Sequence, residues 1–330
     1  MYRDHLKYLI CPSCSGELTL RSEHVPEVEF VEEGSLDCVS CRASFPIVRG
    51  VPRFVNMSNY ADSFGWEWTT HAKTQYDSYT GTTISEERFF GETQWPRDLT
   101  GETLLEVGCG SGRFTEQAVS TGAMVVSLDY SIAVDANYAS HGRLKNSLIV
   151  QGDLYAMPLK PESFDRVLCI GVLQHTPEVE RAFVGLPRFL KPGGKLVVDV
   201  YAINWKLFFK SYYLLRPITK RLPHEYLYRS IRTYVNRMWP LVRLIGRLPS
   251  GRLINKSLFV ISDYRGRLAL SDELLKEWAI LDTFDALSPQ FDRPQSLRTV
   301  TRWFRDAGLT EVEIFTGYNG IVGRGTKPVD

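Results

Sequence analysis

The chain has 330 residues, enough for one large core plus an accessory module. Its 44% hydrophobic and 23% charged residues are those of a folded globular protein and exclude disordered, collagen-like and low-complexity classes. A net charge of +1 hides an asymmetry, because residues 203–267 hold fourteen Lys or Arg against two acids, a local +12 that leaves −11 for the remainder.

No uncharged apolar run of about 18 residues occurs, and the opening MYRDHLKYLI is too charged for a signal peptide, so the expectation is a cytoplasmic chain. Residues 1–56 contain two C-x-x-C pairs, Cys11/Cys14 and Cys38/Cys41. Each pair makes one tight turn that presents two thiolates, and two such turns facing each other give the tetrahedral sulfur cage that zinc prefers. Iron is the alternative metal, and two disulfides or a redox pair are the alternatives without one. Four thiolate ligands leave no position for water, so a zinc here is structural. Glu17-Leu-Thr-Leu20 and Val28-Glu-Phe-Val31 are the strand candidates between the turns, and Phe45-Pro-Ile-Val-Arg-Gly-Val-Pro-Arg-Phe54 closes the unit. With its knuckles this unit resembles zinc ribbons of the tRNA-methyltransferase-activator type.

Residues 57–100 form a connector with Tyr60, Phe64, Trp66, Trp68, His71, Gln75 and Tyr76, read either as a lid helix over a ligand or as an amphipathic helix facing the core. From 101 to 202 an α/β unit is expected. Thr103-Leu-Leu-Glu-Val-Gly-Cys-Gly-Ser-Gly-Arg-Phe114 runs a buried strand into a glycine-rich turn and then a helix. A second strand, Met124-Val-Val-Ser-Leu-Asp129, ends in an acid where nucleotide folds place a ribose-binding carboxylate. A dinucleotide fingerprint would need glycine at 113, where Arg113 stands.

The pattern E-x-G-x-G-x-G instead resembles the first motif of class I S-adenosylmethionine (SAM)-dependent methyltransferases. Gln151-Gly-Asp153-Leu-Tyr-Ala-Met-Pro158, Ser163-Phe-Asp165 and Leu190-Lys-Pro-Gly-Gly-Lys-Leu-Val197 resemble its later motifs in order. The resemblance implies a Rossmann-like sheet of seven strands with a reversed edge hairpin, and SAM as cofactor. It implies cofactor contacts from Glu106, Gly108, Cys109, Gly110 and Gly112, a ribose contact from Asp129 beside Tyr130, an adenine contact from Asp153 with Leu154 packed on the ring, and Ile170 at the end of the fourth strand. Cys109 and Cys169 read as packing residues in one cleft, since methyl transfer from a sulfonium needs no enzyme nucleophile.

His175 is the nearest titratable group in sequence and reads either as a base or as a helix cap. Residues 271–330 complete the core with a helix from Ser296 to Ala307 and an antiparallel strand pair. The stretch before that helix resembles the substrate side of small-molecule methyltransferases in which a His precedes the serine. Gln295 stands there instead, leaving Asp282 and Asp285 as catalytic candidates or as turn residues.

Residues 203–270 read as a helical insertion with eleven aromatics among its basic residues, an acceptor cap after the fifth strand. The expected acceptor is a small molecule, anionic and nucleotide- or lipid-linked. An RNA base is the alternative, because basic and aromatic side chains suit phosphates and bases, and a non-catalytic binding scaffold is the third reading. The stretch 204–216 also reads as a basic amphipathic helix able to rest on an anionic membrane.

Overall fold

The computed structural model describes residues 1–22, 29–56, 60–203 and 211–329. The N-terminal unit is a four-stranded antiparallel sheet of β1 (Leu18–Arg21), β2 (Gly34–Cys38), β3 (Ser44–Val48) and β4 (Val51–Pro52), paired in that order. The partner of β1 is β2 rather than the expected strand ending at Val31. Of that candidate, Val28 lies outside the described residues, and Phe30 makes one isolated bridge with Tyr2. Glycine at the start of β2 explains the shift, because a Cβ on Gly34 would lie 2.5 Å from the Arg21 carbonyl oxygen across the ladder.

Three short helices follow: α1 (Asp62–Thr70), α2 (Asp77–Thr80) and α3 (Ile84–Thr93). The main sheet then alternates strand and helix through β5 (Thr103–Val107), α4 (Arg113–Ser120), β6 (Met124–Asp129), α5 (Val134–His141), β7 (Ser147–Gln151), β8 (Phe164–Ile170), α6 (Val179–Val184) and β9 (Leu190–Val200). The apolar β-branched runs of β5 to β9 are buried, as strands covered on both faces require. An inserted helical unit comprises α7 (Ser211–Thr219), α8 (His224–Ile245), α9 (Gly251–Leu258) and α10 (Asp272–Leu287). The chain closes with α11 (Leu297–Asp306), whose cap Ser296 accepts a hydrogen bond from the Thr299 amide, and with β10 (Thr310–Thr316) and β11 (Ile321–Thr326).

The strand order is β10-β11-β9-β8-β5-β6-β7, parallel throughout except for β11, which runs antiparallel between β9 and β10. The expected seven-stranded sheet with a reversed hairpin is therefore present. Chain direction through the sheet reverses at β5, so the crevice beyond its carboxyl end is where an open α/β sheet receives a ligand.

Two packing relations position that crevice. The ribbon shares one continuous apolar core with the sheet: Leu9, Leu18, Leu36 and Ile47 cluster with Leu105, Leu148, Leu159 and Phe164. Backbone bonds from Ile10 N–H to Pro158 O, Lys160 N–H to Tyr8 O and Phe54 N–H to Gln151 O stitch the two units together. The inserted helices have a separate core, in which Leu227, Ile231, Val235 and Trp239 of α8 meet Ala279, Ile280 and Phe284 of α10 and Trp66 of α1. Helix α10 thus packs with the insertion, and position 270 does not separate two packing units. Periodicity could not show this, because α10 buries residues on most of its circumference, Leu275, Trp278, Ala279, Ile280, Leu281, Phe284 and Leu287, and has no single apolar stripe.

Arg53 is the polar fastener between ribbon and sheet. It is buried, donating from Nη1 to Gln151 Oε1 at 2.8 Å and from Nη2 to Asp135 at 2.5 Å. Arg53→Ala is expected to lower the unfolding free energy by about 2 kcal/mol, the scale of lost charged hydrogen bonds, in a urea titration where exposed Leu144→Ala changes it by under about 0.5 kcal/mol.

Candidate functional site

The glycine turn after β5 works as its backbone demands. Gly108 has φ +80°, and a Cβ there would lie 2.2 Å from Val172 Cγ2. Gly112 has φ +105°, and a Cβ there would meet Asn137 Oδ1 at 2.4 Å. Neither left-handed position accepts a side chain. The turn delivers α4 with a glycine at its cap and no side-chain cap bond, leaving first-turn amides to face an incoming group.

Asp129 ends β6 and reaches across to this turn. Its Oδ2 accepts from the Gly110 amide at 2.8 Å, and its Oδ1 accepts from the Ser131 amide and hydroxyl at 2.8 and 2.7 Å. A carboxylate has about four acceptor positions; three are used here, and Oδ2 keeps one for a ligand. A cavity of about 570 Å³ opens here, with Gly108, Cys109, Gly110, Asp129, Tyr130, Leu154 and Ile170 in its wall. The rings of Tyr60 and Tyr130, 4.8 Å apart between centroids, form one side.

Three of the residues expected to contact the cofactor are not in that wall. Glu106 does not line the cavity. It is buried beneath the turn, where Oε2 accepts from Thr115 Oγ1 at 2.5 Å and Ser127 Oγ at 2.7 Å, tying α4 and β6 to β5. Gly112 also sits off the cavity wall, packed on Tyr76 and Asn137. The Asp153 carboxylate is also off the wall and accepts from the Tyr155 amide at 2.9 Å, capping a 3₁₀ turn at Leu154–Ala156. Cys109 lines the cavity, whereas Cys169 is sealed in the apolar core instead of sharing the cleft.

The three catalytic candidates converge on the same cavity. His175 is buried, with Nδ1–H donating to Phe291 O at 3.0 Å and its ring 4.9 Å from that of Phe64. It caps no helix, and the bond to a carbonyl leaves Nε2 as its basic atom. Burial lowers its pKa and keeps it neutral. Asp282 and Asp285, one turn apart on α10, share a face. Burial raises both to about 6, and Tyr264 donates its hydroxyl to Asp282.

Sequence reasoning missed Glu67. It sits on α1 in the cavity wall, fully buried, and neither carboxyl oxygen has a hydrogen-bond partner among the described residues. Burial, followed by the charges of Asp285 and Asp282, raises its pKa well above the usual carboxylate range. The available signal was its position between Trp66 and Trp68. Those tryptophans divide the helix, Trp68 facing the cavity and Trp66 packing on Tyr228 and Phe284. The connector is thus a lid and a core helix at once.

At the opposite end of the chain's fold, the four ribbon cysteines bring their sulfurs within 4.8 Å of one another. Cys11 and Cys41 are 3.6 Å apart, and Cys14 and Cys38 are 3.4 Å apart. Tetrahedral zinc with bonds of about 2.3 Å spaces its sulfurs by about 3.8 Å, so the donor set fits. The two knuckles are alike: Ser15 N–H bonds Cys11 O, Arg42 N–H bonds Cys38 O, and Ser15 and Arg42 both have φ near +60°.

Glu106 gives this site a pH signature. Burial, partly offset by the Thr115 and Ser127 bonds, raises its pKa to about 7. The folded state therefore holds a proton that the unfolded chain releases near pH 4.3. Its contribution to stability is complete below that pH and disappears as pH rises through 7, on the order of 3 kcal/mol in total. Urea titrations from pH 4.5 to 8 are expected to show Glu106→Gln removing this share of the decline.

Comparison with known proteins agrees with the geometry. Residues 105–198 match a methyltransferase domain family. The chain is 32% identical over 113 residues to a ubiquinone biosynthesis O-methyltransferase of Coxiella burnetii, covering 33% of this chain and 48% of that one. It is 38% identical over 99 residues to a sterol 24-C-methyltransferase of Pneumocystis carinii, covering 28% and 26%. The match thus spans about half the length of these relatives or less. A solved SAM-dependent methyltransferase from Methanosarcina mazei aligns with 72% of this chain and 95% of its own at 17% identity and a TM-score of 0.41. The matched segment runs from within β5 through the glycine turn into β9, so the part of the chain similar to a methyltransferase domain is the part that builds the centre of the seven-stranded α/β sheet.

Proposed function

We propose that the protein is a SAM-dependent methyltransferase acting on a small-molecule acceptor. The observation that carries this reading is the cavity itself, which joins the glycine turn and Asp129 at one end to His175, Asp282 and Asp285 at the other. Asp129 Oδ2 would accept a ribose hydroxyl, the 108–112 backbone would run beside the amino-acid portion, and Leu154 with Tyr60 and Tyr130 would enclose the adenine. Bound there, SAM supplies an activated methyl group. This chain's contribution is to align the acceptor in line with it and to exclude water. His175 Nε2 and the two α10 aspartates are the residues placed to take a proton. Asp129→Ala is expected to weaken S-adenosylhomocysteine binding by ~1.5–3 kcal/mol in calorimetry. Wild type binding NAD and not S-adenosylhomocysteine would overturn the assignment.

We also propose that Cys11, Cys14, Cys38 and Cys41 hold one structural zinc. The sulfur spacing and the paired knuckles support it. Elemental analysis is expected to give one zinc per chain, and removal by a strong chelator should unfold the ribbon and loosen the sheet edge that shares its core. A metal-free chain with four titratable thiols would overturn this.

The acceptor's non-reacting part is proposed to be lipid-linked and anionic. Among the described residues, twelve of the twenty exposed large apolar side chains fall between 203 and 258. On α8 and α9, Leu241, Leu244, Leu253 and Leu258 alternate with exposed Arg237, Arg243, Arg247 and Arg252. Arginine with exposed leucine suits a bilayer surface better than RNA, which favours aromatic stacking. The amphipathic stretch expected at 204–216 lies largely outside the described residues. No helix among those described is long and apolar enough to cross a membrane. Sedimentation with phosphatidylglycerol vesicles, weaker on phosphatidylcholine alone, is the expected outcome. Tight binding to bulk RNA with a log–log salt slope steeper than about −5 would favour the RNA reading instead.

A further inference from the structure

The acceptor end of the cavity has an unbalanced charge. Glu67 from α1 and Asp282 and Asp285 from α10 all line it. Of the four cations among the described residues of the wall, two are committed to other acids, and Arg113 and Lys256 act on Asp282 from a distance without an ion pair. Arg88 pairs with Glu92 and Asp199 at 3.0 Å each. Arg216 pairs with Asp292. Arg113 stands beside the glycine turn, held by Gln75 and Ser85 at 2.9 Å, and Lys256 is exposed at the rim. The acid cluster is not satisfied internally, because both oxygens of fully buried Glu67 lack a partner. Unpaired buried carboxyls cost stability. Around them the wall is aromatic, with Tyr201, Tyr264 and Trp278. Carboxylates set among aromatic faces select an organic ammonium, which is attracted to both.

We propose that the reacting group of the acceptor is an amine, bound as its ammonium by Glu67, Asp282 and Asp285. This rests on the methyltransferase reading and adds the substrate class. The ammonium first gives a proton to an α10 aspartate, and burial makes both of those carboxyls more basic than a free carboxylate, which narrows the gap to the amine. The nitrogen lone pair then forms the bond to the methyl carbon as the carbon–sulfur bond breaks, and that electron pair stays on sulfur. The products are a methylammonium, which carries the positive charge the sulfonium loses, and neutral-sulfur S-adenosylhomocysteine, with the first proton left on the aspartate. Glu67 is a positioning residue that holds the ammonium against the aspartates.

Calorimetry on the full chain, saturated with S-adenosylhomocysteine, tests this with three probes of equal length: hexylamine, 1-hexanol and hexanoate. The expected result is hexylammonium binding at least about tenfold tighter than hexanol, with hexanoate weakest. Glu67→Gln should cut that preference severalfold or more, and Asp285→Asn serves as the second variant if the first does not fold. Equal binding of hexanol or hexanoate overturns the proposal, as does recovery of labelled methyl only on oxygen or carbon in a cell extract given methyl-labelled SAM. Failure of S-adenosylhomocysteine to bind would overturn the methyltransferase reading separately. The ammonium preference, read on the unliganded chain, would still decide the charge of the pocket.

Discussion

One carboxylate organises the cavity end that the rest of the structure serves. Asp129 bonds the Gly110 amide with one oxygen and the Ser131 turn with the other, so the carboxyl ends of β5 and β6 are locked at a single spacing. The lock needs a backbone amide bare enough to approach, which the glycine-rich turn supplies, and a floor that does not sag. Glu106 provides the floor by joining Thr115 and Ser127 below. A buried acid with two hydroxyl partners is a rigid strut whose cost is partly offset by those bonds. The first strand's acid and the second strand's acid thus divide the labour, one supporting the turn and the other exposed to the cavity.

The ribbon extends this rigidity to the far edge of the sheet. It adds to the core beside β7 and pins Gln151 through Arg53. The Gln151 backbone leads directly into Gly152, Asp153 and Leu154, so the loop that borders the cavity is braced from outside. A small module with a short antiparallel sheet buries little on its own. Its shared apolar core and its cysteine cluster together account for its order.

The inserted helices and the connector complete the enclosure from the other side. Helix α1 is the hinge of that arrangement, since Phe64, Glu67 and Trp68 face the cavity while Trp66 belongs to the core of α8 and α10. Movement of the helical unit would carry Glu67, Asp282 and Asp285 together relative to the glycine turn. The α10 aspartates and Asp129 of the glycine-turn end therefore stand on different packing units, joined through α1.

Local chemistry alone made the sheet, the glycine turn, Asp129 and the cysteine knuckles legible, because each is specified by residues adjacent in sequence: a buried apolar run, glycines at left-handed positions, an acid closing a strand, two thiols on one turn. Asp282, Asp285 and His175 were nameable as titratable groups, but their convergence was not, since two elements far apart in sequence bring them to one cavity. The orientation of Glu106 and Asp153 was not legible for a related reason. Motif position gives the strand end but not which way a carboxylate turns, and that is settled by hydroxyls and amides such as those of Thr115, Ser127 and Tyr155. The allegiance of α10 to the helical insertion and the burial of Glu67 between two tryptophans were decided only by tertiary packing, because a helix apolar on most of its circumference does not specify which core will cover it.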